Sequence, residues 1–172
     1  MEPLLPNEIN ESLKKIIPAL EKHSVDFIII GGTAVAYYGH RRISGGPVKG
    51  EVIADLDFWY KPTTQNFTNL VKALKDLNVN TEEIERIIFD PKRSFLKIPH
   101  KTFHTDFLPQ MAGLDSFKES KKNTSQLSLG GSVVPVISYD DLVKNKQAVS
   151  RAIDKADLEA LKKKKRSWGL GM

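Results

Sequence analysis

Apolar positions along the chain follow two spacings, and the spacing assigns the elements. In residues Asn7 to Glu21 the side chains of Ile9, Leu13, Ile16, Ile17 and Leu20 recur three or four apart, which predicts a helix. Pro18 lacks the amide hydrogen that a helix interior uses, so a broken helix or two short ones are expected. Phe27-Ile28-Ile29-Ile30, closed by Gly31-Gly32, predicts a strand buried on both faces. Thr33 to Tyr38 then reads as a helix ending near Gly39, so the unit is strand, glycine turn, helix. His40 to Gly50 contains Gly45-Gly46-Pro47 and predicts a mobile loop. Val52 to Tyr60 is a second strand, followed by Thr64 as N-cap of a helix over Phe67 to Leu77 and by a further helix from Thr81 to Phe89. After the turn signal Asp90-Pro91 come strands at Phe95 to Ile98 and Thr102 to Leu108. Gln126 to Leu129 and Ser132 to Ile137, joined by Gly130-Gly131, predict a hairpin whose second strand Pro135 would place at a sheet edge. The chain closes on helices near Tyr139 to Val149 and Asp154 to Lys164.

Composition narrows the chemistry. With 172 residues the expectation is one domain, and with 0 Cys there is no disulfide, thiolate metal site or cysteine nucleophile. No serine-nucleophile elbow is present either. The N-terminus is acidic and proline-broken, and the longest apolar run, Phe27 to Gly32, is far short of a membrane span, which predicts a cytoplasmic chain with no membrane partner. The net charge of +5 resides in Lys162-Lys163-Lys164-Lys165-Arg166; without these five, 21 basic residues face 21 acidic ones. That run reads as a solvated helix end or as a nucleic-acid contact.

The informative segment is Ala54-Asp55-Leu56-Asp57-Phe58-Trp59. Side chains alternate along a strand, so Asp55 and Asp57 share one face, with Cα atoms about 6.5 to 7 Å apart, while Leu56 and Phe58 enter the core. At an effective dielectric of about 20 and about 5 Å, two such charges repel by about 3 kcal/mol, so a counter-charge is expected. Hard oxygen ligands without sulfur point to Mg²⁺. A bare solvent-facing Asp-x-Asp is the alternative, but Asp is disfavoured in strands and this stretch is otherwise apolar. Trp59 and Tyr60 read as packing residues or as a stacking surface. His40 and His104 are not at a metal-pair spacing and read as structural or surface histidines.

An apolar strand ending in Gly31-Gly32, a short helix, a strand bearing Asp55-x-Asp57 and a later strand bearing one more carboxylate form an order that resembles the nucleotidyltransferase superfamily of DNA polymerase beta and the antibiotic nucleotidyltransferases. The likeness is greatest to small bacterial members related to abortive-infection toxins of the type II class. It implies an α/β (α+β) fold with a small mixed sheet flanked by helices: a core over 1–138, a helical segment over 139–166 and a tail over 167–172. It also implies that Asp55 and Asp57 bind Mg²⁺ and a nucleoside triphosphate, and that a third carboxylate completes the metal site and activates an acceptor hydroxyl. Of Asp90, Asp106 and Asp115, only Asp106 lies within an apolar strand, and it matches the third position. Gly31, Gly32 and Thr33 would meet the nucleotide. Lys144, with Lys146 second, matches a basic helix residue directed at the triphosphate, although both could simply face solvent. Arg151-x-x-Asp154-x-x-Asp157 resembles a terminal motif of the toxin-like branch, or forms ordinary surface ion pairs. The implied activity is transfer of a nucleoside monophosphate to a hydroxyl on a small molecule, an RNA or a protein, with a partner chain possible; the alternative is a silent nucleotide-binding or interaction module. The connection from Gly32 to Asp55 is longer than the family usually has.

Overall fold

The computed structural model describes residues 5–40 and 54–170, without the side chains of 168–170. The stretch 41–53, which holds most of the expected loop and the start of the second strand, lies outside the described residues. Helix α1 (Asn7–Lys22) runs unbroken through Pro18. The proline is exposed, so the carbonyl one turn before it gives up its helical partner on the solvent side, where water replaces it. Strand β1 (Phe27–Ile29) leads into α2 (Gly31–Tyr37), and β2 (Ala54–Tyr60) into α3 (Thr64–Asp76). The N-cap of α3 is Thr63, one residue before the expected Thr64, its hydroxyl accepting from the Asn66 amide at 3.2 Å. The helix expected over Thr81 to Phe89 is only α4 (Glu82–Glu85). Its sequel presents Ile87 and Ile88 to solvent, so no apolar stripe holds another turn.

Strands β3 (Leu96–Pro99) and β4 (Phe103–Leu108) follow, then α5 (Phe117–Lys122), β5 (Ser125–Leu129), β6 (Ser132–Val136), α6 (Tyr139–Val149) and α7 (Ala152–Leu170). The short helix α5 is unforeseen; Ser116 caps it by accepting from the Glu119 amide at 3.2 Å. The last helix continues beyond Lys164 into the range read as a tail.

One six-stranded sheet has the order β3-β4-β2-β1-β6-β5. It is mixed: β2 pairs antiparallel with β1 and parallel with β4, while β1 and β6 are parallel. The hairpin β5–β6 forms, but β5 takes the edge and β6 lies inside, contrary to the expectation from Pro135. The β1–β6 ladder consists of Ile29↔Val136 alone, so Pro135 interrupts no hydrogen bond on that side.

Register is set by the core. Phe58 and Phe107 pair across β2 and β4 with rings stacked at 5.1 Å, and both are fully buried. Burying a side chain of this kind contributes about 1.5–3 kcal/mol. A slip by one residue would drive these rings out and turn the aspartates in, so core packing dictates where the carboxylates stand.

Candidate active site

Because Phe58 meets Phe107, the residues before them pair as well: Asp57 with Asp106 and Asp55 with His104. The three aspartates, half-buried, therefore occupy one face of adjacent parallel strands, as β2 and β4 are spaced about 4.8 Å apart. His104 Nδ1 stands 3.4 Å from Asp55 Oδ1, and on β3 Lys97 pairs with Asp106. Burial pushes the Asp106 carboxyl up, with the negative charge of Asp55 adding to the effect while Lys97 and His104 oppose it.

The other side of β2 is held by the start of α2. The Gly32 amide donates to Asp57 Oδ2 at 3.0 Å. Gly31 has φ +58°, and a Cβ there would stand 2.6 Å from Asp57 Oδ2 and 2.8 Å from its Cβ and Cγ. Only glycine permits both the left-handed backbone and the approach of the carboxylate. The glycine pair thus seats Asp57 first of all. Thr33 is buried and lies outside the cleft lining; its hydroxyl accepts from the Asp57 amide at 3.2 Å and lies 3.4 Å from the Asp55 carbonyl, tying α2 to the strand between the two aspartates.

A cleft of about 570 Å³ opens above these groups, lined by Gly31, Gly32, the three aspartates, Lys97, Lys146 and Arg151 among others. Lys144 is not among them. It is exposed and lines a separate hollow with Tyr139 and Lys165, because two residues along a helix turn the side chain by about 200°. Lys146 faces inward instead, buried, with Asp154 Oδ1 at 3.0 Å and Asp157 Oδ2 at 3.1 Å. Asp154 also accepts from Arg151 Nε at 2.8 Å and from the Arg151 backbone amide at 3.1 Å. Burial alone would raise the Asp154 carboxyl, but these bonds outweigh it and hold it down to about 2. His40 Nε2 stands 3.8 Å from Asp157 Oδ1.

Arg151-x-x-Asp154-x-x-Asp157 is therefore not a set of surface ion pairs: the two aspartates are buried, and with Lys146 they lock α7 to α6. Arg151, largely exposed and raised in pKa first by its bond to Asp154, presents its charge to the cleft within the field of Asp57. Sequence reasoning passed over Lys97. Its signal was alternation in β3, where Lys97 interrupts the apolar pair Leu96 and Ile98. Trp59 and Tyr60 are packing residues: Trp59 Nε1 donates to the Pro109 carbonyl at 3.1 Å, and the buried Tyr60 hydroxyl donates to Ser94 O. The basic run 162–166 is an exposed helix face, with Lys165 Nζ 4.8 Å from the centre of the Tyr139 ring.

Among the described residues, no three His, Asp or Glu side chains are grouped closely enough to hold a metal ion as they stand. Asp55, Asp57 and Asp106 offer carboxylate oxygens from one face of the sheet, the donor chemistry that a hard divalent cation takes. Among those residues, no helix is long and apolar enough to cross a membrane.

No family model matches the sequence, and no curated protein does. Solved structures do. The lincosamide antibiotic adenylyltransferase LnuA, determined with lincomycin bound, superposes with a TM-score of 0.56 at 16% identity, covering 92% of this chain and 97% of that one. A nucleotidyltransferase candidate from Thermotoga maritima superposes at 0.52 with 15% identity, covering 98% and 97%. The chain has the nucleotidyltransferase fold.

Proposed function

We propose that the protein is a nucleotidyltransferase that moves a nucleoside monophosphate from a nucleoside triphosphate to a hydroxyl acceptor. The observation that carries this reading is the register Asp57↔Asp106, with Gly31 and Gly32 seating Asp57 on the far side, all lining one cleft of this fold. Asp55, Asp57 and Asp106 would hold Mg²⁺, which when bound supplies charge compensation for the triphosphate. Gly31 and Gly32, which share the cleft lining with Asp57, would face the outer phosphates. Arg151 offers a positive charge there, the role expected of Lys144, and Asp154 holds its guanidinium in place.

In this reading Asp106 accepts the proton of an acceptor hydroxyl. The hydroxyl oxygen then attacks the α-phosphorus in line, the bond from that phosphorus to the bridging oxygen breaks, and pyrophosphate leaves. The test is to incubate the protein with Mg²⁺, each common nucleoside triphosphate and cell extract, and to measure pyrophosphate. Asp57→Ala should abolish the signal; pyrophosphate release that persists in that variant overturns the mechanism. Nucleotide binding without any release in the wild type would favour a silent module of the same fold.

A further inference from the structure

Six large apolar side chains stand exposed among the described residues, and three of them line the cleft: Phe95 at 42%, Ile153 at 41% and Val149 at 39%. Their neighbours in the lining include Leu108 and Met111. The cleft has two ends. Gly31 and Gly32 lie on the β1 side of Asp57, whereas Asp106 lies across β2 on β4. Leu108 follows Asp106 by two residues on the same face of β4, and Phe95 precedes Lys97, the partner of Asp106, by the same interval. Leu108 and Phe95 thus continue the cleft past Asp106, away from the glycines, and α6 closes on the loop that follows Leu108, Asn145 donating to the Ala112 carbonyl at 2.9 Å.

Charge points the same way. Among the described residues, the acidic ones lining the cleft are Asp55, Asp57 and Asp106, all three already assigned to the reaction centre. Beyond them comes a cation, Lys97, whose Nζ stands 5.7 Å from the centre of the Phe95 ring. Among the described residues, an acceptor carrying several ammonium groups would meet Lys97 with no further carboxylate to receive it. Gln110, exposed in the lining, supplies a neutral hydrogen-bonding group instead.

We infer that the acceptor is an uncharged small molecule whose hydroxyl is borne beside an apolar or aromatic face, which packs on Phe95, Val149 and Ile153. This rests on the proposed transferase reading and narrows its substrate class. Methyl NMR of the full chain, with Ile, Leu, Val and Met labelled and with Mg²⁺ and a non-hydrolysable ATP analogue present, tests it. The two probes are 4-nitrophenyl β-D-glucopyranoside, neutral and aromatic, and the polycation kanamycin.

The expected result is that the aryl glucoside shifts the methyls of Val149, Ile153 and Met111 and that kanamycin does not. Phe95→Asp should weaken the aryl glucoside by about tenfold or more, while Phe95→Leu stays within about threefold of wild type. Phe95 is exposed, so neither variant removes a core residue. Absence of aryl-dependent shifts, equal binding in Phe95→Asp, or kanamycin moving the same methyls overturns the inference. A second, 15N-labelled sample titrated with Mg²⁺ and the ATP analogue reads the Gly31 and Gly32 amides: if they stay still while the aryl shifts appear, the transferase reading fails and the apolar subsite stands.

Discussion

Gly31 and Asp57 depend on one another sterically. Any side chain at Gly31 collides with the carboxylate that the next amide holds, and φ +58° adds backbone strain. Gly31→Ala should therefore cost about 1–3 kcal/mol in denaturant unfolding and remove pyrophosphate release together with it. Gly39→Ala is the control. It too has positive φ, at +96°, but among the described residues its new Cβ would meet only the Lys164 stem, at 3.7 Å, so stability falls while activity per folded molecule stays. At this scale the carboxylates were legible in the sequence, because two aspartates inside an apolar strand contradict local propensity. Lys144 was not correctly placed, since helical phase separates it from Lys146 and only packing shows which of the two turns inward.

Among the elements, α6 and α7 are joined by a buried charge cluster whose pH response has a definite sign. Asp154 is held at about 2 in the folded state against about 3.9 in an unfolded chain. A depressed carboxylate contributes stability above its unfolded pKa, here about 2–3 kcal/mol, and that contribution is lost as the pH falls from about 4 towards 2. Acid unfolding followed by circular dichroism should show this loss in the wild type and not in Asp154→Asn. That variant should in addition be about 3–5 kcal/mol less stable at neutral pH, because it weakens the pairing of the buried Lys146 and releases Arg151. In α1 the opposite is expected. Pro18 is exposed and its ring fits the helix at the expense of one hydrogen bond, so Pro18→Ala should raise stability by about 1–3 kcal/mol, read as a higher midpoint in urea. Pattern reading foresaw both helices of the α6–α7 pair, yet i, i+3 spacing describes a surface pair and a buried network equally well.

For the whole molecule, the proposed function predicts linkage: a ligand that binds only the folded state stabilises it. With Mg²⁺ and a nucleoside triphosphate at about 100 times their dissociation constant, the gain is about 2.7 kcal/mol, and for a chain of this length that moves Tm up by about 5–10 °C. EDTA should cancel the shift, and Asp57→Ala should never show it. The sequence by itself determined most of the strand and helix types, α5 excepted, the strand-glycine-helix corner and the acidic face of β2, because alternation and periodicity are local properties. The order β3-β4-β2-β1-β6-β5, the inward placement of β6, the meeting of Asp57 with Asp106 and the arrival of Arg151 and Lys97 at the same cleft were decided by tertiary structure. The reason is that Asp57 and Asp106 are 49 residues apart in sequence (106 − 57) and are brought together by the stacking of Phe58 on Phe107, a contact whose energy exists only once both strands have left water.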